Sequence, residues 1–579
     1  MPSFLAAKKS DQWSKEKTGE VGCRIQRSSN LVRVIVLSVI LLVAGIFYCL
    51  YYGRIGYMPQ DSAAVFDGGW RILSGQIPFL DFTAPNAIVP ILLQAISFSL
   101  FGVNWFAYCL HAAIFNGLFC VLAFLFLRMF GGTLTISFFY ALISGVVYYT
   151  PFGIPFQDQH AFFFTFILIF LACFVTRVQN PSIKNTILFF LPALTAISFF
   201  SKQIPTIFGV ILALCILLVL ERSRLLAVIQ FLFLGTVLTI LMLWVVCIAF
   251  GIDFNLVDIY LFRLPAELGY SRITKVFTVS FQALLRHMLL LWKLFSPFVL
   301  VTLFILGVLI FFRSRLDIFR KGKDGEALNE GASFSYFPLL LSLSLIALSV
   351  VFLSLTNNQD ENGAALIFVS LGLLHIFLNK SLGRKGLLLV GILLCGGSLL
   401  CAWNFHKYVN MTRMVHDLVY EKKLAKDFRN NMPEGLSFLV WATPERYKGT
   451  PEDFKNTIDF FSSNAGNFFL LGDSSILYAL TGRPSVNPVL WFDPGQTMPF
   501  PSSLWFPDFQ DLLLKSLIKN HVRYVVLEAT RQKNGQGYTW SNISLAYFPK
   551  LNELVQKTGS VRAVFGVFTI IELVNIDKQ

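Results

Sequence analysis

Charge is what this sequence has least of. Asp, Glu, Lys and Arg make up only 14% of the 579 residues, whereas a soluble domain carries about 25%. Hydrophobic residues make up 55% and the mean hydropathy is +0.65. A chain this apolar cannot cover itself with polar surface, which excludes an ordinary water-soluble globule. Cysteine is missing from the whole C-terminal part. The nine Cys end at Cys401, so no disulfide is expected beyond it. No CxxC and no Cys/His ligand spacing occurs, which argues against a structural zinc. G-x-G-x-x-G and Walker sequences are absent, and with them the nucleotide sites they build. Internal repeats, low-complexity tracts and coiled-coil heptads are absent too. A cleavable signal peptide is not expected. The first apolar run begins only near residue 31, is too long for such a leader, and is followed by no small-residue cleavage site.

What the chain has is long apolar runs. Leu31–Tyr52, Leu225–Phe250 and Met288–Phe312 each exceed the ~20 residues that a helix needs to cross about 30 Å of hydrocarbon. The runs are continuous rather than alternating, so they read as helices and not as barrel strands. A net charge of +14 would suggest nucleic acid in a soluble protein. Here the cations sit mostly in short loops between apolar runs, where the positive-inside rule accounts for them. Membrane lipids are therefore expected as partners, and nucleic acid is not. The 61 Phe suit bilayer-facing and packing surface.

The charges also set the sidedness. Residues 1–33 hold seven Lys/Arg against three acids, which places the N-terminus in the cytoplasm. Tyr48, Tyr51 and Tyr52 then end the first span at the outer interface. Ile88–Phe101 is ambiguous, with about 14 residues, Pro85 before it and Pro90 within it. If it spans, the later basic loops fall outside. If it lies in the outer interface, Arg128, Arg177, Lys184, Arg222, Arg224, the cluster from Arg313 to Lys323, Lys380, Arg384 and Lys385 all fall inside. The interfacial reading satisfies the charges. It gives about eleven spans, near 31–52, 105–128, 132–150, 161–178, 184–200, 204–221, 225–250, 287–312, 336–355, 363–379 and 386–405.

The expected architecture is an all-α polytopic membrane protein with about eleven transmembrane helices and a small C-terminal α/β domain. Its parts are a cytoplasmic basic tail (1–30), a transmembrane domain (31–406) with outer loops 53–104, 151–160 and 251–286, and an extracytoplasmic soluble domain (407–579). In that domain Ser437–Trp441, Asn467–Leu471, Tyr524–Leu527 and Val564–Ile571 read as buried strands. Phe509–Lys519 and Lys550–Lys557 read as helices. The multi-pass chain fits a plasma membrane, with the N-terminus inside and the C-terminal domain outside.

Polar residues at the outer edge are the candidate site. Asp61 follows the first span by about nine residues, so its carboxylate lies near the membrane surface. It can accept the proton of an attacking hydroxyl as a general base, or it can N-cap a helix running from Ser62 to Leu73. Asp67 lies six residues on and reads as solvated or structural. Asp81 reads equally as a polar site residue or a turn former. Asp158, next to the bilayer, is costly unless used or paired, or it caps the next helix. His160 reads as a polar contact at the interface. Asp158 and His160 alone do not make a metal site. Lys202 ends the fifth span on the outer side, against the positive-inside trend, where it can hold an anionic phosphate or snorkel. Arg263, Arg272, Lys275 and Arg286 are further outer cations, suited to a phosphate-bearing lipid or to anionic head groups. Asn357–Asn362 reads as a solvated turn, and His111 and His375 as packing or polar contacts.

At the first outer loop the sequence resembles the lipid-dependent membrane glycosyltransferases of the GT-C type. These include the protein O-mannosyltransferases and the aminoarabinose transferase of lipid A. The matching elements are Asp61, Gly75-Gln-Ile-Pro78-Phe-Leu-Asp81, Pro85 to Pro90, Phe101-Gly102, Asp158 and Lys202-Gln203. The resemblance covers roughly residues 30–220, with the later spans agreeing in layout. The tail stretch from Phe468 through Gly472-Asp473 to Gly482-Arg483-Pro484 looks like the outer domain of many bacterial members. Many relatives carry Lys-Pro-Pro where this chain has Ala84-Pro85-Asn86, which shifts a phosphate-holding role onto Lys202 or Arg263. The resemblance implies transfer of a sugar from a polyprenyl-phosphate donor to a lipid, glycan or protein acceptor outside the membrane. Asp61 would be the base, Asp158 would orient acceptor or base, and the outcome would be inversion. No cofactor is indicated, although some relatives use a divalent metal. The other readings are a transporter or flippase of lipid-linked sugars, and a non-catalytic scaffold that binds cell-wall polymer. The acids cluster at the outer edge rather than the bilayer midplane, which argues against transport.

Overall fold

Helices form wherever the apolar runs are longest, because a backbone in lipid must satisfy its own hydrogen bonds. The computed structural model describes residues 30–266, 336–355, 364–381, 384–411, 432–443, 447–529, 531–533, 536–538 and 543–574. The expected span 287–312, the cluster from Arg313 to Lys323, the outer cations Arg272, Lys275 and Arg286, the hairpin Asn357–Asn362 and most of the basic tail lie outside these residues.

The chain runs through α1 (Asn30–Gly53), α2 (Ala64–Leu73), α3 (Ile88–Phe101), α4 (Trp105–Met129) and α5 (Leu134–Val147). It continues through α6 (Gln157–Val175), α7 (Pro181–Ser201), α8 (Gln203–Leu220), α9 (Leu225–Ala249) and the short α10 (Phe254–Asp258). α11 (Phe337–Leu355), α12 (Ala364–Ser381) and α13 (Arg384–Phe405) follow. Six of these, α1, α4, α6, α7, α8 and α9, are long and apolar enough to cross a membrane. The chain is a polytopic helical membrane protein. On α9 the outward side chains include Leu226, Phe233, Ile240 and Trp244, all exposed, a surface that suits lipid and not water. α5 is shorter than the expected 132–150, because Tyr149 N leaves the helix ladder for Asn116 Oδ1 at 3.0 Å.

Basic residues collect at one end of the bundle. Lys184 and Arg224 pair with Glu221, and Arg177 donates to Met129 O at 3.0 Å. Asp158 and Lys202 lie at the opposite ends of the same helices.

α3 has 14 residues, about 21 Å at 1.5 Å per residue, short of the hydrocarbon thickness. Its two flanks meet the same C-terminal domain. Thr83 N donates to Pro488 O at 2.8 Å before it, and the Phe106 ring meets Phe438 at 5.3 Å after it. Both flanks of α3 therefore lie against the same C-terminal domain.

The C-terminal part contains α14 (Pro451–Ser463), β1 (Asn467–Leu471), α15 (Ile476–Leu480), α16 (Phe506–Lys519) and β2 (Val522–Glu528). A small pair, β3 (Arg531–Lys533) and β4 (Gln536–Tyr538), precedes α17 (Pro549–Thr558), β5 (Gly559–Phe565) and β6 (Phe568–Leu573). The main sheet has the order β1-β2-β6-β5, with β1 parallel to β2 and the other pairs antiparallel. Two expected strands differ. Val564–Ile571 is not one strand but the turn of the β5–β6 hairpin. Gly566 takes φ +52° there, and Phe565 faces Phe568 across the reversal. Ser437–Trp441 does not join the sheet. Only Val440 pairs, with Ile55 of the loop after α1. The α/β layers also share one hydrophobic core with that loop and the start of α4: Tyr57, Phe66, Phe98 and Trp105 pack in the same cluster as Phe468, Tyr524 and Phe568.

Candidate functional site

α1 delivers the chain to the loop that follows it, which is pinned at once to the C-terminal domain. Gly56 N donates to Val440 O at 3.0 Å and Tyr57 N to Ala442 O at 2.7 Å. Residues 58–63 then form a tight turn, with Asp61 N on Pro59 O and Ser62 N on Met58 O, both at 2.9 Å. Gln60 sits at φ +68°, a left-handed conformation that costs a non-glycine residue about 1–3 kcal/mol. α2 begins at Ala64 with Ala63 as its N-cap and no side-chain cap. Asp61 therefore does not cap the helix, and its half-buried carboxylate is left for other work.

Asp158 lies in the first turn of α6, behind the N-cap Phe156, where the helix dipole favours a negative charge. Lys202 is the one extended residue between α7 and α8, at φ −164° and ψ 139°. Pro205 sits in the first turn of α8, where its missing N–H is harmless. The Lys202 ammonium pairs with the Asp158 carboxylate, and their side chains are only 12% and 3% exposed. The loop before α3 packs on this break. Gln203 Nε2 donates to Pro85 O at 2.6 Å, and Ala87 N donates to Ser201 O at 3.0 Å. Ala84-Pro85-Asn86 is thus held beside Lys202.

Asp61 lies within electrostatic reach of this pair. Burial pushes its carboxyl up to about 7; the charges of Asp158 and Asp493 add to the rise, and Lys202 opposes it. Asp493 comes from the C-terminal domain, in a turn closed by Asp493 N donating to Thr497 Oγ1 at 3.0 Å. Its Asp-Pro-Gly sequence signals a turn. Nothing in the sequence indicates that this turn returns to Asp61.

The other candidates have other partners. Asp81 closes a turn by accepting Ile77 N at 2.9 Å, and it faces Lys519 of α16 at 3.3 Å. His160 is buried between Tyr149 OH at 2.6 Å and His111 Nε2 at 2.9 Å. His111 passes the chain on to Gln94 Oε1 at 2.8 Å, which braces α3, α4 and α6. Arg263 is 56% exposed and pairs with Asp258 at 2.6 Å, its guanidinium 5.7 Å from the Trp505 ring. Asp67 is not solvated but fully buried against Arg71 at 2.8 Å. The structure pairs Asp158 with Lys202, sets both and Asp493 where their charges act on the Asp61 carboxyl, and leaves Asp81, His160 and Arg263 in separate contacts. Among the described residues, no three His, Cys, Asp or Glu side chains converge closely enough to hold a metal ion.

No family model matches the chain, and no curated protein matches it. Solved structures resemble it over most of its length. ArnT from Cupriavidus metallidurans bound to undecaprenyl phosphate is 11% identical, with a TM-score of 0.47 over 94% of this chain and 98% of that one. The apo state of the same protein is 12% identical, with a TM-score of 0.42 over the same shares. The Archaeoglobus fulgidus oligosaccharyltransferase in complex with Zn and sulfate is 11% identical. Its TM-score is 0.34 over 85% of this chain and 68% of that one.

Proposed function

We propose that this chain is a membrane glycosyltransferase, moving a sugar from a polyprenyl-phosphate donor to an acceptor on the outer face of a bacterial inner membrane. The observation that carries the reading is the buried Lys202–Asp158 pair, whose charges act on the carboxyl of Asp61. An ammonium has three donors. Asp158 takes one, which leaves Lys202 others for phosphate oxygens. The packing of Ala84-Pro85-Asn86 beside this residue supports Lys202 as the cation that replaces the lysine of the related motif. A carboxyl raised to about 7 is half ionised at neutral pH, near the optimum for a general base.

The proposed step is one displacement. Asp61 takes the proton of the acceptor hydroxyl or amine while its oxygen or nitrogen attacks the anomeric carbon. The bond from that carbon to the phosphate oxygen breaks, and its electron pair leaves with the polyprenyl phosphate. Lys202 balances the charge on the departing lipid. A single displacement inverts the anomeric centre. Asp158 holds Lys202 and orients the acceptor.

The test uses purified full-length protein in lipid nanodiscs with radiolabelled undecaprenyl-phosphate pentoses and hexoses and membrane-extracted acceptors. Wild type should give a labelled glycoconjugate and free lipid phosphate, and Asp61→Asn should lose ~10²–10⁴ in rate. A folded Asp61→Asn protein that transfers at full rate would overturn the base assignment. In proteoliposomes, label that crosses the bilayer without transfer would identify a transporter instead.

A further inference from the structure

Glu528, the last residue of β2, is a buried carboxylate that the proposed step does not use. It is 3% exposed and makes no ion pair among the described residues. Its oxygens take four hydrogen bonds instead. Oε2 accepts from Asp473 N at 2.7 Å and from Ser474 N at 2.8 Å. Oε1 accepts from Ser474 Oγ at 2.5 Å and from Tyr447 OH at 3.0 Å. Four donors fill a carboxylate's acceptor capacity, so Glu528 has nothing left to offer a ligand. What it does is grip one short segment of backbone. Gly472 permits the grip, because a Cβ there would stand 2.5 Å from Glu528 Oε2.

The gripped segment touches the first outer loop twice. Ser474 Oγ, which donates to Glu528, accepts from Tyr57 OH at 2.8 Å. Asp473 O accepts from Gln60 N at 3.1 Å. Gln60 carries the strained φ of +68° and is joined directly to Asp61. A strained residue persists only when its surroundings hold it, and the bond from Asp473 O is a hold on that residue from outside its own loop.

We infer that Glu528 is a positioning residue for Asp61. Through Asp473, Ser474 and Gln60 it fixes the peptide from which the Asp61 carboxylate projects. The C-terminal domain is then a working half of the site and not only its cover. The inference rests on the reading of Asp61 as base.

The test compares Glu528→Gln, which turns an amide donor toward a ring of donors, with the milder Ser474→Ala in the full-length protein. Two readouts are taken. Hydrogen exchange of the peptide covering residues 57–64 should quicken by about tenfold or more as its local opening becomes easier, with the spans protected as in wild type. Turnover of a radiolabelled undecaprenyl-phosphate sugar should fall by about 10- to 100-fold in kcat. The donor KM should stay within about twofold, because the lysine that holds the phosphate is untouched. Unchanged exchange in both variants overturns the inference. Faster exchange with wild-type kcat, in a protein that Asp61→Asn inactivates, overturns it alone. Full activity in Asp61→Asn overturns the base assignment and this inference together.

Discussion

Asp61 is held in a state that is useful for chemistry and costly for folding. Burial and the neighbouring Asp158 and Asp493 charges raise its carboxyl to about 7, against the pull of Lys202. A base acts in its ionised form, so kcat should rise with pH through about 7 and level off above it. Asp493→Asn removes one of the raising charges, so the rising limb should move to lower pH. Lys202→Ala removes the lowering charge and should move the limb up, and it should also weaken binding of undecaprenyl phosphate. A pH profile of kcat across these variants checks all three directions, and limbs that stay fixed would remove Asp61 as the titrating group. The same shift has a stability consequence. A carboxyl whose folded pKa is raised holds its proton more tightly folded than unfolded, so the folded state loses ground as pH rises from about 4 to about 7. Asp61→Asn should therefore raise the thermal midpoint most above pH 7 and hardly at all near pH 4, as thermal melts at the two pH values would show. A gain in stability on losing a functional group is what a strained site predicts.

At the scale of elements, the proposed site depends on how closely α2 lies on α3. Gly68 and Gly69 make the approach possible: a Cβ at Gly68 would stand 2.3 Å from Ile91 Cγ2, and one at Gly69 would stand 2.6 Å from Gln94 Cγ. Gly68→Leu should force α2 away, at a cost of roughly 1–3 kcal/mol from overpacking. It should drag the Asp61 turn with it, so melting temperature and kcat should fall together. α3 itself carries a topological prediction. Since both its flanks touch the C-terminal domain, cysteines placed at Leu80 and Val103 should both react with an impermeant maleimide from the same side of sealed vesicles, above the background of the native cysteines. Labelling from opposite sides would make α3 a span. Much of this was readable in the sequence. Lipid forces its helices to be continuous apolar runs, and Arg128, Arg177 and Lys184 sort to one side only if α3 does not span, which is the reading that the labelling tests. The hairpin at Gly566 was misread because a turn of two residues between two apolar strands leaves no polar interruption. The segment at Val440 was misread because its single pairing partner lies in a distant loop.

The whole molecule is knit by contacts between residues far apart in sequence, and these are what the sequence conceals. Asp61, Asp158 and Lys202 stood out as polar groups at the ends of apolar runs. Asp493 and Glu528 sit in a domain whose local pattern shows only strands and turns, and the roles proposed for them arise only because that domain folds back onto the 53–63 segment. The joint is centred on Arg71. Its Nε donates to Asp67 at 2.8 Å and one terminal nitrogen donates to Asn487 O at 2.7 Å, while Ser485 Oγ donates to the other Asp67 oxygen. Both charged side chains are fully buried. Burial pushes the Asp67 carboxyl up, while Arg71 and the Ser485 hydroxyl oppose the rise. A buried pair of this kind is weak evidence of net stability, but losing one partner leaves an uncompensated charge and costs about 3–5 kcal/mol. Arg71→Met should therefore lower the thermal midpoint sharply and open the Arg483–Leu490 segment to protease, since the carbonyls it held lose their donor. Asp67→Asn alone should do less, because the guanidinium keeps the backbone oxygens of Asn487 and Val489. Combining the two should recover much of the loss, because no unpaired charge remains. If the double variant instead melted at the sum of the two single losses, the pair would not be the joint. The docking would then rest on the shared hydrophobic core alone.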